Sequence, residues 1–142
     1  MSYQKIVLGY DESEGAKAAL QRAGELAKAF GSELIVASVA PIMTSIGRSA
    51  GPVDPTDPPE EHVEELKHAR AYLDGQGIHA EYLPGLGDPA RTIAELAKER
   101  DADLVVLGTH EPNAIERLFG QSVGEAVAHK VHCDVLIVHP GH

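Results

Sequence analysis

The sequence predicts an α/β domain, an open parallel sheet of five strands with helices on both faces. Strand-like and helix-like segments alternate along the chain five times, and three of the strand segments are near-continuous runs of Val, Ile and Leu. Such runs mark strands buried on both faces, as a parallel sheet with right-handed crossovers requires. Five strands are also too few to close an eight-stranded barrel.

The elements follow in order. Residues 4–10, QKIVLGY, read as the first strand. Asp11, Glu12 and Ser13 then supply capping chemistry for a helix over 14–30, where Ala16, Ala19, Leu20, Ala23, Ala27 and Phe30 return at helical spacing. Gly31 suits the left-handed position that ends a helix. The second strand is 33–40, ELIVASVA. Prolines and glycines crowd 41–59, from Pro41 and Gly47 to Pro58 and Pro59, and predict a mobile loop, with a lid, a partner-binding loop and plain disorder as open readings. Helix returns over 60–75, with Val63, Leu66, Ala69 or Arg70, and Leu73 as its stripe, before Gly75 and Gly77 break it. A third strand is expected over 78–83. Pro89 fits the first turn of a helix after Asp88, because proline there loses no internal hydrogen bond. Ile93, Ala94, Leu96 and Ala97 form its apolar side to about residue 100. Residues 103–108, DLVVLG, are the fourth strand; a final helix over 121–131 carries Val123, Val127 and Val131; and 134–138, DVLIV, is the last strand. No internal repeat or second domain is evident, so residues 1–142 are read as one domain.

Composition narrows the function classes. With 142 residues and a 43% hydrophobic fraction, the chain suits one core. Only 4% of residues are aromatic and Trp is absent, so that core rests on Val, Ile, Leu and Ala. The apolar runs are strand-sized, too short to cross a membrane. Met1 to Lys5 have neither the length nor the charge pattern of a signal peptide. Cys133 is a single cysteine and cannot form an intramolecular disulfide, which fits a cytoplasmic protein carrying a thiol. Against 12 Lys and Arg stand 22 Asp and Glu, a formal charge of −10. That surface disfavours nucleic acid, which needs clustered cations, yet leaves room for a small anion site built from backbone amides.

In a doubly wound sheet, ligands collect beyond the carboxyl ends of the strands, where crossover direction switches. Those ends are Gly9-Tyr10-Asp11, Ala40-Pro41, Pro84-Gly85 and Gly108-Thr109. If the first and fourth strands are neighbours, Asp11 and Gly108 face each other across a cleft; alternation alone does not fix that order. Gly108-Thr109-His110 and Gln121-Ser122-Val123-Gly124 bracket a second feature. Glycine lets backbone approach a ligand, the free N–H groups of a helix start receive phosphate, and Ser122 adds a hydroxyl. Two readings stand for this feature, a phosphate cradle and an ordinary turn with a helix cap. Asp11 likewise reads as a ribose partner or a cap, and His110 as a ligand contact or an exposed loop histidine. No dinucleotide fingerprint or P-loop is present. His129, His132 and Cys133 match no zinc spacing, and the histidines read as a helix end with Cys133 entering the last strand as a small apolar residue. No nucleophile–base–orienter series supports covalent catalysis.

Three stretches carry a resemblance: KIVLGYDESEGAKAAL, GDPARTIAELAKERDADLVVLGTH and SVGEAVAHKVHCDVLIVHP. Over essentially the whole chain they resemble the single-domain universal stress proteins. The resemblance implies a three-layer α/β/α, Rossmann-like fold of the adenine nucleotide alpha hydrolase type, with strand order 3-2-1-4-5. It implies a cytoplasmic regulatory or interaction protein of the stress response, acting with an unidentified regulatory protein partner. It also implies a homodimer, and Asp134–Val138, as an exposed sheet edge, is the strand expected to pair between copies. The family divides into members that bind nucleotide and members that do not. The nucleotide-binding group has G-x2-G-x9-G-[ST] after the fourth strand. Here Gly108, which follows Leu107, matches the first glycine, while Glu111 replaces the second. Gln121 replaces the third, with Gly120 just before it; Ser122 and Val123 match, and Gly124 lacks the hydroxyl often found there. Asp11 matches the base-and-ribose side of the family's pocket, and Val39 and Ala40 match its adenine-facing strand end.

These departures have a physical direction. Glu111 brings negative charge toward a triphosphate, and Gln121 fills space that glycine leaves open. The expectation is weak or absent ATP binding. The alternative, with Glu111 turned to solvent and the loop rearranged at Gly120, is a competent ATP or AMP sensor, with or without Mg. No metal-holding carboxylate set is apparent, so slow nucleotide hydrolysis is the most that catalysis could amount to.

Overall fold

The computed structural model describes residues 3–11, 14–40, 60–109 and 123–140. In chain order these form β1 (Lys5–Gly9), α1 (Glu14–Phe30), β2 (Glu33–Ala40), α2 (Glu60–Gly75), β3 (Ala80–Leu86), α3 (Pro89–Glu99), β4 (Leu104–Gly108), α4 (Val123–Lys130) and β5 (Asp134–Val138). The strands make one sheet in the order β3-β2-β1-β4-β5, and every neighbouring pair is parallel.

The strands are apolar on both faces because both are covered. Ile6 and Leu8 of β1, Leu34 and Val36 of β2 and Leu104 and Val106 of β4 pack against α1 and α2. The alternate residues Val7, Ile35, Val105 and Leu107 pack against α3 and α4. This gives the three layers and places a helix pair on each side of the sheet. The small stripe of α1, with Ala16, Ala19, Ala23 and Ala27 all buried, brings the helix close to the strands.

Three expectations are corrected. β3 begins at Ala80 rather than 78 and runs through Pro84 and Gly85 to Leu86. As an edge strand bonded only to β2, it needs ladder bonds on one side alone, so a proline there is tolerated. Phe30 leaves the buried stripe of α1; it is 40% exposed and meets the Tyr3 ring edge-on at 5.6 Å. Arg70 also lies outside the core, exposed on α2 with its guanidinium 5.6 Å from the centre of the Tyr82 ring. Ala69 and not Arg70 fills the buried position. The segments 41–59 and 110–122, the capping residues Glu12 and Ser13, and the side chains of Val63 and Val123 lie outside the described residues.

At the amino ends of the strands, side chains tie the elements together. The Asp103 carboxylate accepts the backbone N–H groups of Gln4 at 2.8 Å and Lys5 at 3.0 Å, and these two bonds hold its carboxyl below the usual range. Arg100, at the end of α3, forks onto Glu81 of β3, with Nη2 2.9 Å from Oε1 and Nη1 bonded to Oε2. The Tyr3 hydroxyl donates to Asp134 at 2.8 Å.

Candidate functional site

The chain runs outward from β1 through β2 to β3, then crosses back to place β4 on the other side of β1. The carboxyl ends of β1 and β4 therefore flank the point where winding reverses, and a cleft opens there, as open α/β sheets favour. Gly9, Tyr10 and Asp11 line it from β1, Ala37 and Val39 from β2, and Leu107 and Gly108 from β4. Ala16 of α1 and Pro89 and Ile93 of α3 complete the described walls.

Each wall has a local cause. The Tyr10 N–H donates to the Ala37 carbonyl at 2.9 Å and carries the β1–β2 ladder one residue past the strand, which fixes where Asp11 leaves the sheet. At Gly9 an added Cβ would come within 2.7 Å of Leu107 Cδ2 and 2.9 Å of Ile93 Cδ1, so the bare Cα keeps the cleft floor open. Asp88 caps α3, its carboxylate accepting the Arg91 N–H at 3.0 Å, and Pro89 occupies the first turn. That start point sets Pro89, and Ile93 one turn later, against the strand ends.

Of the sequence-derived site residues, Asp11, Val39, Leu107 and Gly108 come together in this cleft. Asp11 and Gly108 do flank one crevice, because β1 and β4 pair directly. Ala40 ends β2 in register with Leu86, one residue past Val39. Val123 and Gly124 begin α4; Gly124 is not among the described residues that line the cleft, and the Val123 side chain lies outside the described residues. His110, Gly120, Gln121 and Ser122, with Glu111, lie outside the described residues.

Sequence reasoning did not single out Ala16, Ala37, Pro89 and Ile93 as cleft residues. Ala37 carries a signal, since it lies two positions before Val39 and therefore on the same strand face. Ile93 carries another, four residues after Pro89 on a helix.

The chemistry available is specific. Val39, Leu107 and Ile93 offer apolar walls to a flat ring, and the Asp11 carboxylate can accept hydroxyl donors of a sugar. Among the described lining residues there is no Lys or Arg. Elsewhere among the described residues, no three His, Cys, Asp or Glu side chains gather as metal ligands, and no helix is long and apolar enough to cross a membrane. Cys133 is half-buried, and burial pushes its thiol pKa up, which keeps it protonated.

The profile of the universal stress protein family matches residues 2–139. The chain belongs to the universal stress protein family. Universal stress protein Sll1388 of Synechocystis is 34% identical to it, over 97% of this chain and 99% of its own length. Universal stress protein MJ0531 of Methanocaldococcus jannaschii is also 34% identical, over 96% of this chain and 82% of its own. Among solved structures, a universal stress protein in complex with cAMP superposes with a TM-score of 0.77 at 31% identity, covering 99% of this chain and 100% of that one. This universal stress protein thus shares the three-layer fold and strand order 3-2-1-4-5 that the resemblance implied.

Proposed function

We propose that this universal stress protein is a cytoplasmic regulatory protein of the stress response whose cleft takes an adenine mononucleotide, AMP or cAMP, and discriminates against ATP. The observation that carries the reading is the meeting of Asp11, Val39, Leu107 and Gly108 in one crevice at the winding reversal. The adenine ring would lie against Val39, and the ribose hydroxyls would donate to Asp11. Discrimination follows from what surrounds the phosphates. Among the described lining residues there is no Lys or Arg, and the loop sequence adds Glu111 and replaces a glycine by Gln121. A triphosphate brings more negative charge than a monophosphate for neutral donors to balance. The 31%-identical universal stress protein of matching length, solved with cAMP, supports the mononucleotide.

Isothermal titration calorimetry with AMP, cAMP, ADP and ATP, each with and without magnesium, tests the reading. AMP or cAMP is expected to bind about tenfold or more tightly than ATP, a difference of about 1.4 kcal/mol. A low-micromolar ATP dissociation constant, or no heat with any of the four, overturns it.

A dimer through β5 belongs to the same proposal. β5 sits at the sheet edge, and its apolar run Val135–Val138 leaves one row of ladder groups open for a second copy. Light scattering that gives a concentration-independent monomer mass would contradict it.

A further inference from the structure

The first turn of α1 lies directly on the end of β4, and two glycines make that possible. A Cβ on Gly15 would fall 1.9 Å from the Thr109 carbonyl oxygen. A Cβ on Gly108 would fall 2.1 Å from the carbonyl carbon of Gly15 and 2.4 Å from the Ala16 nitrogen. All of these are backbone atoms, which cannot rotate aside as a side-chain end can. Thr109 is anchored besides, its N–H donating to the Val138 carbonyl at 2.9 Å. Among the described glycines only Gly31, Gly77 and Gly87 have φ in the left-handed region. At Gly15 and Gly108 the demand for glycine is therefore one of space, not of backbone conformation.

The contact borders the cleft without Gly15 lining it. Ala16, the next residue, and Gly108 are both cleft walls, and Asp11 lies just ahead of the same helix. We infer that Gly15 is a positioning residue of the nucleotide cleft: its missing side chain seats the first turn of α1 on the β4 end and so sets how far Ala16 and Asp11 stand from Gly108. Any side chain at Gly15 must open that corner by more than about 1 Å before the Thr109 oxygen reaches a normal contact. Gly108, the motif glycine, answers first to the helix behind it rather than to a phosphate. The inference rests on the cleft being the nucleotide site, and its test separates the two.

The test uses the full chain and the variant Gly15→Ala, with amide NMR spectra recorded free and with AMP. In the free protein the variant is expected to shift the amide resonances of Asp11, Ala16, Gly108 and Thr109 while leaving those of β3 in place. Unmoved Asp11 and Gly108 resonances overturn the inference whether or not nucleotide binds. With AMP, calorimetry is expected to show an affinity loss of about tenfold or more, the size of one lost polar contact. Ala27→Gly, on the same helix but remote from the cleft, should lower the melting temperature and leave AMP affinity unchanged. Equal losses of affinity in the two variants would reduce Gly15 to a stability residue. If wild-type protein binds no AMP, the function fails while the free-state shifts still decide the positioning role. Should Gly15→Ala alone unfold, the same measurements are made in an Asp101→Gly/Tyr82→Phe background, whose changes lie away from the cleft.

Discussion

The two ends of the sheet are built by opposite means. At the amino ends, long polar side chains reach between elements: Asp103 to the backbone of Gln4 and Lys5, Arg100 to Glu81, Tyr3 to Asp134. At the carboxyl ends, shape comes from side chains that are missing: Gly9 keeps the cleft floor clear, and Gly15 and Gly108 let a helix rest on a strand. One end is fastened and the other is hollowed. A fastened end tolerates the loss of one tie, since each is solvent-exposed and worth little. A hollowed end tolerates added atoms poorly: at Gly15 and Gly108 they would meet backbone, and at Gly9 the packed Leu107 and Ile93 side chains would have to shift.

Four substitutions sharpen or break this contrast, in falling order of expected effect. Gly9→Val should destabilise by about 1–3 kcal/mol in denaturant titration, through contact with Leu107 and Ile93, and should abolish AMP binding by filling the floor. A neutral Gly9→Val would show that the hollow end is slack. Tyr82→Phe should stabilise by about 1 kcal/mol, because the buried hydroxyl has no hydrogen-bond partner among the described residues; a lower melting temperature would reveal a partner for it. Asp101, just past α3 with φ of 53°, sits where glycine is at ease. Asp101→Gly should raise stability by no more than about 1 kcal/mol by the same denaturant measurement.

The fourth concerns pH. The folded-state pKa of Asp103 is lowered by its two backbone donors, so the unfolded chain takes up that proton first as pH falls. Its contribution is present above the unfolded value of about pH 4 and is lost as acid carries the pH through the lower folded one. Asp103→Asn should therefore lower the melting temperature at neutral pH and converge with wild type in acid, flattening the limb below about pH 4. An unchanged acid limb would detach Asp103 from the fastening of the amino end.

Much of the sheet was legible because burial on both faces writes itself as continuous runs such as IVL in β1 and LVVL in β4. The helix starts at Pro89 and the end at Gly31 were legible from backbone chemistry. β3 was misplaced because Pro84-Gly85 carries the signature of a turn, and only the sheet order reveals an edge where proline is harmless. Phe30 was misassigned because periodicity counts an aromatic residue as core, whereas at the helix end Tyr3 covers one side of the ring and solvent takes the other. In the site, Asp11, Val39, Leu107 and Gly108 were found because they close strands or border a motif. Gly15 was not, since a glycine inside a helical pattern signals only a weaker helix, and the atom it makes room for lies more than ninety residues away in Thr109.

The central claim is that adenine mononucleotide binds at the hollowed end. The most direct measurement is a titration of the wild-type protein with AMP, followed by backbone amide NMR. Shifts at Gly9, Asp11, Val39, Leu107 and Gly108, with Lys5, Glu33, Asp103 and Asp134 unmoved, are the predicted result. Shifts confined to the fastened end, or none at saturating AMP, would contradict it.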